Sequence, residues 1–400
     1  MAVANTEVRK FFSNDTGAYQ WTPGVGNVAG ALIAMLDTVL VNGYNVKSIS
    51  GVSVDSGLLA TFTTSAPHGY LRLDVVNISG ASPAAYNGDW RIYSVPTSTT
   101  FTVQLATNPG AMSGTVAVKK APIPGWSKVF SGTNKAVYRS IDPSATGMYL
   151  RVEDTQTTFA MLRAYESMTD VDTGRYPFPS LVSYPPTPVY PGYSTFIKSN
   201  YSGYTGQWAV IGDSRALYIW SCSTNYNLTD INNVSQGTYF VGDFVPVIPS
   251  DPYGFMFSPQ MDGNNSATAW SSLSHGFNSS WGNSWCPRNH ARIPNPIRMY
   301  ICSGPMDASQ SRMGVYGFPL PNGPDNRIYV EMVKIIQSDN HLRGYMPGIL
   351  APQHAAPFPQ LSMVANIDGY PGSEFIAMPH GYAAGVLGQM LVNITTSWRT

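Results

Sequence analysis

The amino-acid sequence predicts a mainly β protein: a β-sandwich or barrel-like main domain, one buried N-terminal helix and an inserted small β-barrel. Three observations carry this expectation. Charged residues fill only 12% of the 400 positions, about half the usual share of a soluble domain, so the outer faces of water-exposed helices could not be furnished with Glu, Lys and Arg. Residues of strands and tight turns take their place, among them 37 Gly, 31 Pro and 24 Tyr, together with Thr, Ser and Asn. Hydrophobic residues reach 43%, enough for packed cores and too many for a disordered chain. The length accommodates two or three domains.

The first element is the one helix. Asn27 is placed as an N-cap before VAGALIAMLDTVLV. Val28, Leu32, Leu36 and Val39 follow helical spacing, Ala29, Ile33 and Leu40 widen the stripe, and Asn42-Gly43 is a normal stop. Asp37 is the one charge on this surface. A helix so apolar is buried, against its own sheet or against a neighbouring subunit, which makes Leu32 and Leu36 candidate interface residues. Residues 1–45 are read as the N-terminal arm and helix of the main domain.

From 46 to 120 the pattern changes to short strand-like runs: VKSISGVSV, LLATFTTS, LRLDVVNIS, DWRIYSV, TFTVQL and GTVAVKK. Turn signals separate them at Pro67-His68-Gly69, Gly80-Ala81-Ser82-Pro83, Asn87-Gly88 and Asn108-Pro109-Gly110. Such close spacing predicts a small barrel or sandwich. The segment lies between a helix end and the linker Ala121-Pro122-Ile123-Pro124-Gly125, as an inserted module would, so its deletion is expected to leave the rest folded.

Residues 121–400 continue the main β-rich domain. GWSKVFSG, NKAVYRSI, GMYLRVED and TFAMLRAYES read as strands, GQWAVIGDS with RALYIWSC as a hairpin, and GTYFVGDFVPVIP, IRMYICSG, RIYVEMVKII and LGQMLVNITTSW as further strands. The Pro-, Tyr- and Ser-rich stretch 175–205 reads as a connection between sheets. The stretch 251–297 reads as a long irregular loop carrying Trp270, Trp281 and Trp285. Aromatics among small polar residues suit an intersubunit contact, so these three are also candidate interface residues.

The 23 basic and 23 acidic residues cancel, and no basic run exists to neutralise phosphates, so no direct nucleic-acid partner is expected. A weakly charged surface suits faces that end against other subunits. No apolar run approaches the length of a membrane span, and MAVANTEVRKFF lacks the basic-then-apolar pattern of a secretory leader. Cys222, Cys286 and Cys302 are odd in number and widely spaced, against a disulfide framework and in keeping with synthesis in a reducing compartment.

Two resemblances add to this reading. The His68-Gly69-Tyr70 turn, Ile78-Ser79-Gly80-Ala81, Tyr86-Asn87-Gly88 and Thr100-Phe101-Thr102-Val103 resemble a small β-barrel module of phage tail and virion proteins. That module is itself similar to the first catalytic-cysteine half-domain of ubiquitin-activating enzymes. Ubiquitin chemistry does not follow, because 46–120 contains no cysteine. Phe11-Phe12-Ser13-Asn14-Asp15-Thr16-Gly17-Ala18, the stretch from Gly125-Trp126 to Val137-Tyr138-Arg139, and Leu150-Arg151-Val152-Glu153-Asp154 followed by Ala164-Tyr165-Glu166-Ser167 resemble a family of tailed-bacteriophage virion-associated structural proteins. The likeness covers 10–45 and 125–220 best, with echoes at Arg343-Gly344-Tyr345-Met346-Pro347-Gly348 and Ser397-Trp398-Arg399. It implies a virion component of tail, baseplate, collar or neck, made in the host cytoplasm, homo-oligomeric and bound to other virion proteins.

Chemistry-bearing motifs are sparse. Gly212-Asp213-Ser214 after an apolar strand resembles the nucleophile block of SGNH esterases. That family's Asp-x-x-His is replaced by Ser338-Asp339-Asn340-His341, and the motif leads into a strand where a helix belongs, so a turn is expected. His68, His275, His290, His341, His354 and His380 show no helical metal spacing and are read as single surface or turn residues. Asp170-Val171-Asp172-Thr173-Gly174 begins like a calcium loop but lacks the later ligands. No cofactor, metal or catalytic residue is expected. The sequence is therefore read as a structural virion subunit and not an enzyme. A receptor- or carbohydrate-binding tail component is the second reading, and an esterase using Ser214 the third.

Overall fold

A computed structural model gives the fold; it describes the chain apart from residues 1–3, 23–27, 181–193, 199–204, 223–235, 259–260, 263–283, 303–318, 355–357, 384–385 and 400. The described residues are mainly β, as the composition requires, and they form three sheets.

The first is a closed barrel of six antiparallel strands. In order around the wall they are Tyr44–Val54, Leu59–Thr64, Thr100–Gln104, Gly88–Thr97, Val75–Ser79 and Ala117–Lys120, the last pairing back onto the first. Alternation fills the interior: Leu59–Thr64 buries every second side chain, and Phe62 stacks on Phe101 with centroids 5.5 Å apart. His68 is inside this barrel and not on its surface. It is fully buried, stacked on Tyr70 at 5.0 Å, and its Nδ1 accepts the Tyr70 N–H at 2.9 Å.

The second sheet has thirteen strands among the described residues. It runs from Arg9–Phe12 through Gln207–Gly212, Ala216–Cys222, Gln236–Asp243, Phe255–Ser258, Ser284–Cys286, Ile297–Cys302, Val330–Gln337, Leu342–Pro352, Val386–Asn393 and Glu374–Ala383 to Met363–Ala365, and the thirteenth strand, Val245–Pro246, pairs with Leu342–Pro352 beside this path. Its path curls back on itself: Thr238 Oγ1 donates to the Pro379 carbonyl at 3.1 Å although their strands are not hydrogen-bonded neighbours. Both faces of Ala216–Cys222 are therefore covered, and all seven side chains are buried. This explains a continuous apolar run where a half-exposed strand would alternate.

The third sheet holds Trp126–Gly132, Lys135–Ser140, Tyr149–Glu153, Phe159–Met168 and Ser194–Ile197 in order. Its inner face (Tyr138, Leu150, Leu162, Phe196) shares one core with Phe11, Val210, Ile219 and Phe257 of the large sheet, which makes the main body a sandwich.

The helix α1 (Ala31–Asp37) lies in that core. It is shorter than the periodicity predicts and continues as a wider π turn over Thr38–Asn42, stopping at Gly43 with φ 65°. Asn27, placed as its cap by the sequence, lies outside the described residues. The cap comes from the third sheet: the Asp154 carboxylate accepts the N–H groups of Leu32 at 2.7 Å and Ile33 at 3.3 Å and is paired with fully buried Lys198. Parts of 251–297 are not loop at all, since Phe255–Ser258 and Ser284–Cys286 are buried strands of the large sheet. FMFS and SWC are too short to announce a strand by alternation.

Candidate interaction site at the barrel and sheet junction

The barrel meets the large sheet along the strand Arg9–Phe12, which pairs antiparallel with Gln207–Gly212. Strand alternation sends Phe11 into the sandwich core and turns Lys10 the other way, toward the barrel. There Lys10 Nζ donates to Asp74 Oδ1 at 2.6 Å. Lys120, at the end of the barrel's last strand, sits 3.2 Å from the same oxygen and also pairs with Asp15. The Tyr44 hydroxyl and the Phe12 N–H both donate to Asp15 Oδ2 at 2.9 Å. Lys10, Asp15, Asp74 and Lys120 are each less than one-tenth exposed.

Two positive and two negative groups thus neutralise one another in a buried joint. Burial alone would push the Asp74 carboxyl up, but the ammonium groups of Lys10 and Lys120 outweigh it and hold it below its ordinary value. Burial likewise pulls Lys120 down, and Asp74 with Asp15 reverses the effect, leaving it raised. Around the joint, Arg91 of the barrel donates to the carbonyls of Val8 at 2.8 Å and Leu73 at 3.0 Å. Arg9 pairs with Asp89, and Arg72 forms a bidentate pair with Glu374 at the far end of the large sheet.

Beside the joint lies a groove of about 970 Å³, lined by Lys10, Phe12, Asn14, Arg72, Gln207 and Met363 among others. Its walls come from both the barrel and the large sheet, and they mix apolar surface with amide, hydroxyl and guanidinium groups.

The residues singled out by sequence fall elsewhere. Leu32 and Leu36 are 0% and 1% exposed and spend their surface in the chain's own core, so neither offers a face to a second chain. Trp285 is in the same core, 2% exposed, with the Arg298 guanidinium 5.2 Å from its ring centre. Trp270 and Trp281 lie outside the described residues. The apolar side chains that do face outward include Val247, Ile248, Ile293 and Leu342. Val247 N–H donates to the Arg343 carbonyl, and Arg343 donates to the Arg288 carbonyl, which brings these segments beside one another.

Gly212-Asp213-Ser214 is a hairpin turn, as the sequence reading expects. Asp213 Oδ1 accepts the N–H groups of Arg215 at 2.9 Å and Ala216 at 2.8 Å, and the chain continues as the strand Ala216–Cys222. The Ser214 hydroxyl donates to Asp142; among the described residues no histidine stands beside it. Burial raises the Asp142 carboxyl, but the Ser214 hydroxyl, the Ser144 N–H and the charges of Arg215 and Arg399 together lower it more, so it ends below its ordinary value and is a weak base. The Asp170 segment is also a turn. Asp170 Oδ1 accepts the N–H groups of Asp172 and Thr173 at 2.8 Å, and Asp172 is neutralised by Lys135 and Arg151.

Sequence reasoning treated the histidines singly. The structure buries His354, whose Nε2 accepts the Tyr329 N–H at 2.8 Å, and brings His290 and His341 together beside Asp339. No spacing rule could have found that set, because His290 arrives from a distant loop.

Comparison with known proteins adds little. No family model matches the chain, and no curated protein matches it. Among solved structures, the phage phi92 endosialidase aligns over 81% of this chain and 72% of its own, at 11% identity and a TM-score of 0.17, too low to carry an argument.

Proposed function

We propose that this chain is a structural subunit of a tailed-phage particle, in which residues 46–120 are an inserted module held in one fixed orientation by the main β body. The observation that carries the proposal is the buried joint of Lys10, Asp15, Asp74 and Lys120. Burying two ion pairs costs desolvation that a plain apolar contact would avoid, and a return on that cost is a single, well-defined docking geometry. A part built to transmit position within an assembly needs that geometry. The sequence resemblance to virion-associated proteins, the low charge and the outward apolar side chains Val247, Ile248, Ile293 and Leu342 agree with it. The Gly-Asp-Ser turn, with a carboxylate where an esterase needs an imidazole, gives no support to hydrolysis.

Mass spectrometry of salt-washed particles from the phage that encodes the chain tests this reading. A chain retained at fixed stoichiometry with the capsid subunit is the expected result. A chain removed by the wash or absent from particles overturns it.

The groove of about 970 Å³ favours one further reading, a carbohydrate-binding component of the tail. Its mixture of apolar wall and polar side chains suits a sugar ring. Binding of the purified chain to a glycan array, weakened by Arg72→Ala and Gln207→Ala, is the result that reading requires.

A further inference from the structure

We infer that His290, Asp339 and His341 form a binding site for a divalent transition-metal ion. Asp339 and His341 come from the turn between strands Val330–Gln337 and Leu342–Pro352. Asn340 takes φ 68° there, its N–H bonds the Gln337 carbonyl at 2.8 Å, and the Gln337 N–H bonds the His341 carbonyl at 2.8 Å. That tight reversal sets Asp339 Oδ1 2.9 Å from His341 Nδ1. His290 arrives from the loop after Ser284–Cys286, where the Arg292 N–H closes a turn on the Asn289 carbonyl at 2.9 Å. Its ring lies against that of His341 with centroids 4.0 Å apart and planes 30° apart, and its Nδ1 is 3.9 Å from Asp339 Oδ2.

One ligating atom from each of the three residues lies within 4.8 Å of the other two. Ligands held at about 2.0–2.2 Å from one zinc ion stand roughly 3–3.5 Å apart, so small side-chain rotations close the set. The three side chains are 42%, 45% and 55% exposed and are free to make them.

A buried neighbour prepares the place. The Gln337 side-chain carbonyl accepts the His290 N–H and the Arg343 guanidinium, both at 2.7 Å, which fixes the orientation of its amide. Its NH₂ group is then aimed at both Asp339 oxygens, at 2.8 and 3.0 Å, and at His290 Nδ1, at 3.1 Å. The positive end of a dipole rests among the groups that an ion would join, and the ion takes over those contacts. Two imidazoles and one carboxylate suit zinc, nickel, cobalt or copper and not calcium or magnesium. With three protein ligands the ion keeps an open position facing solvent.

The test uses the whole chain, stripped with chelator and titrated calorimetrically with zinc chloride, with magnesium and calcium chloride as controls. One zinc per chain, no binding of the controls, and at least about tenfold weaker binding in His290→Ala, His341→Ala and Asp339→Asn are expected. Cobalt, titrated in parallel, should give visible d–d absorption that His341→Ala abolishes. Circular dichroism of each variant without metal checks that these exposed substitutions leave the fold intact. Absence of zinc binding, or zinc binding unchanged in both histidine variants, overturns the proposal.

Discussion

The Lys10 ammonium reaches from the N-terminal strand to the Asp74 carboxylate of the barrel at 2.6 Å, and neither side chain is more than 3% exposed. Asp74→Asn leaves Lys10 and Lys120 with one buried carboxylate between them. We expect the variant to lose about 3–5 kcal/mol in denaturant unfolding, while a Lys10→Met, Asp74→Leu double variant recovers most of the loss. The folded Asp74 carboxyl lies below its ordinary value of 3.8. Its contribution is therefore complete above pH about 4 and is lost as pH falls toward its folded value.

Deleting residues 46–120 is a harsher operation than the sequence alone implies. It removes Asp74, Arg91 and Lys120, and strips Lys10 and the Val8 carbonyl of these partners and Asp15 of its ammonium, leaving Asp15 only the Tyr44 hydroxyl and the Phe12 N–H. It also removes Leu73, which packs in the core of the large sheet. The simple deletion is expected to be poorly soluble, and the same deletion carrying Lys10→Met and Asp15→Asn to give a cooperative thermal transition. A cooperative transition in the uncorrected deletion would show that the joint is dispensable to the body.

Asp243 gives a pH dependence of opposite sign. Burial pushes its carboxyl up to about 6, against hydrogen bonds from Thr146 that favour the charged form. A folded value above the ordinary 3.8 favours the protonated state, so its stabilising contribution is complete below pH 3.8 and is lost as pH rises through about 6. Asp243→Asn should therefore be more stable than wild type at pH 7, by about 3 kcal/mol, and equal to it near pH 4. Thermal melts at the two pH values check both halves of the statement.

Ser214→Ala separates turn from nucleophile. The variant is expected to lose about 1 kcal/mol with the Asp142 hydrogen bond and to match wild type, at background, in hydrolysis of p-nitrophenyl acetate. Activity in wild type that vanishes in the variant would reinstate the esterase reading.

The barrel was legible in its short alternating runs and in turns marked by Gly, Pro or Asn between several of its strands. LLATFTTS and TFTVQL map onto Leu59–Thr64 and Thr100–Gln104. The helix was legible as buried, yet its start was not, because Asp154 caps it from 122 residues away. FMFS and SWC were hidden by brevity within a loop-like composition. The site was the least legible part. Its charges meet across 64 and 105 residues of sequence, and no local pattern records such a meeting. Leu32 and Leu36 show the converse: an all-apolar surface announces burial without saying against what.

The strand Arg9–Phe12 ends the thirteen-stranded sheet, and an uncovered sheet edge is a template for further strands. In a chain with so few charges, little else would discourage stacking of one copy on the next. The barrel lies over this edge: Arg91 takes the Val8 carbonyl, and Lys10 and Arg9 are committed to Asp74 and Asp89. At the opposite end the last strand, Met363–Ala365, is only three residues long. The barrel thus keeps that edge from taking up a further strand, and the opposite edge offers only three residues of backbone to pair with.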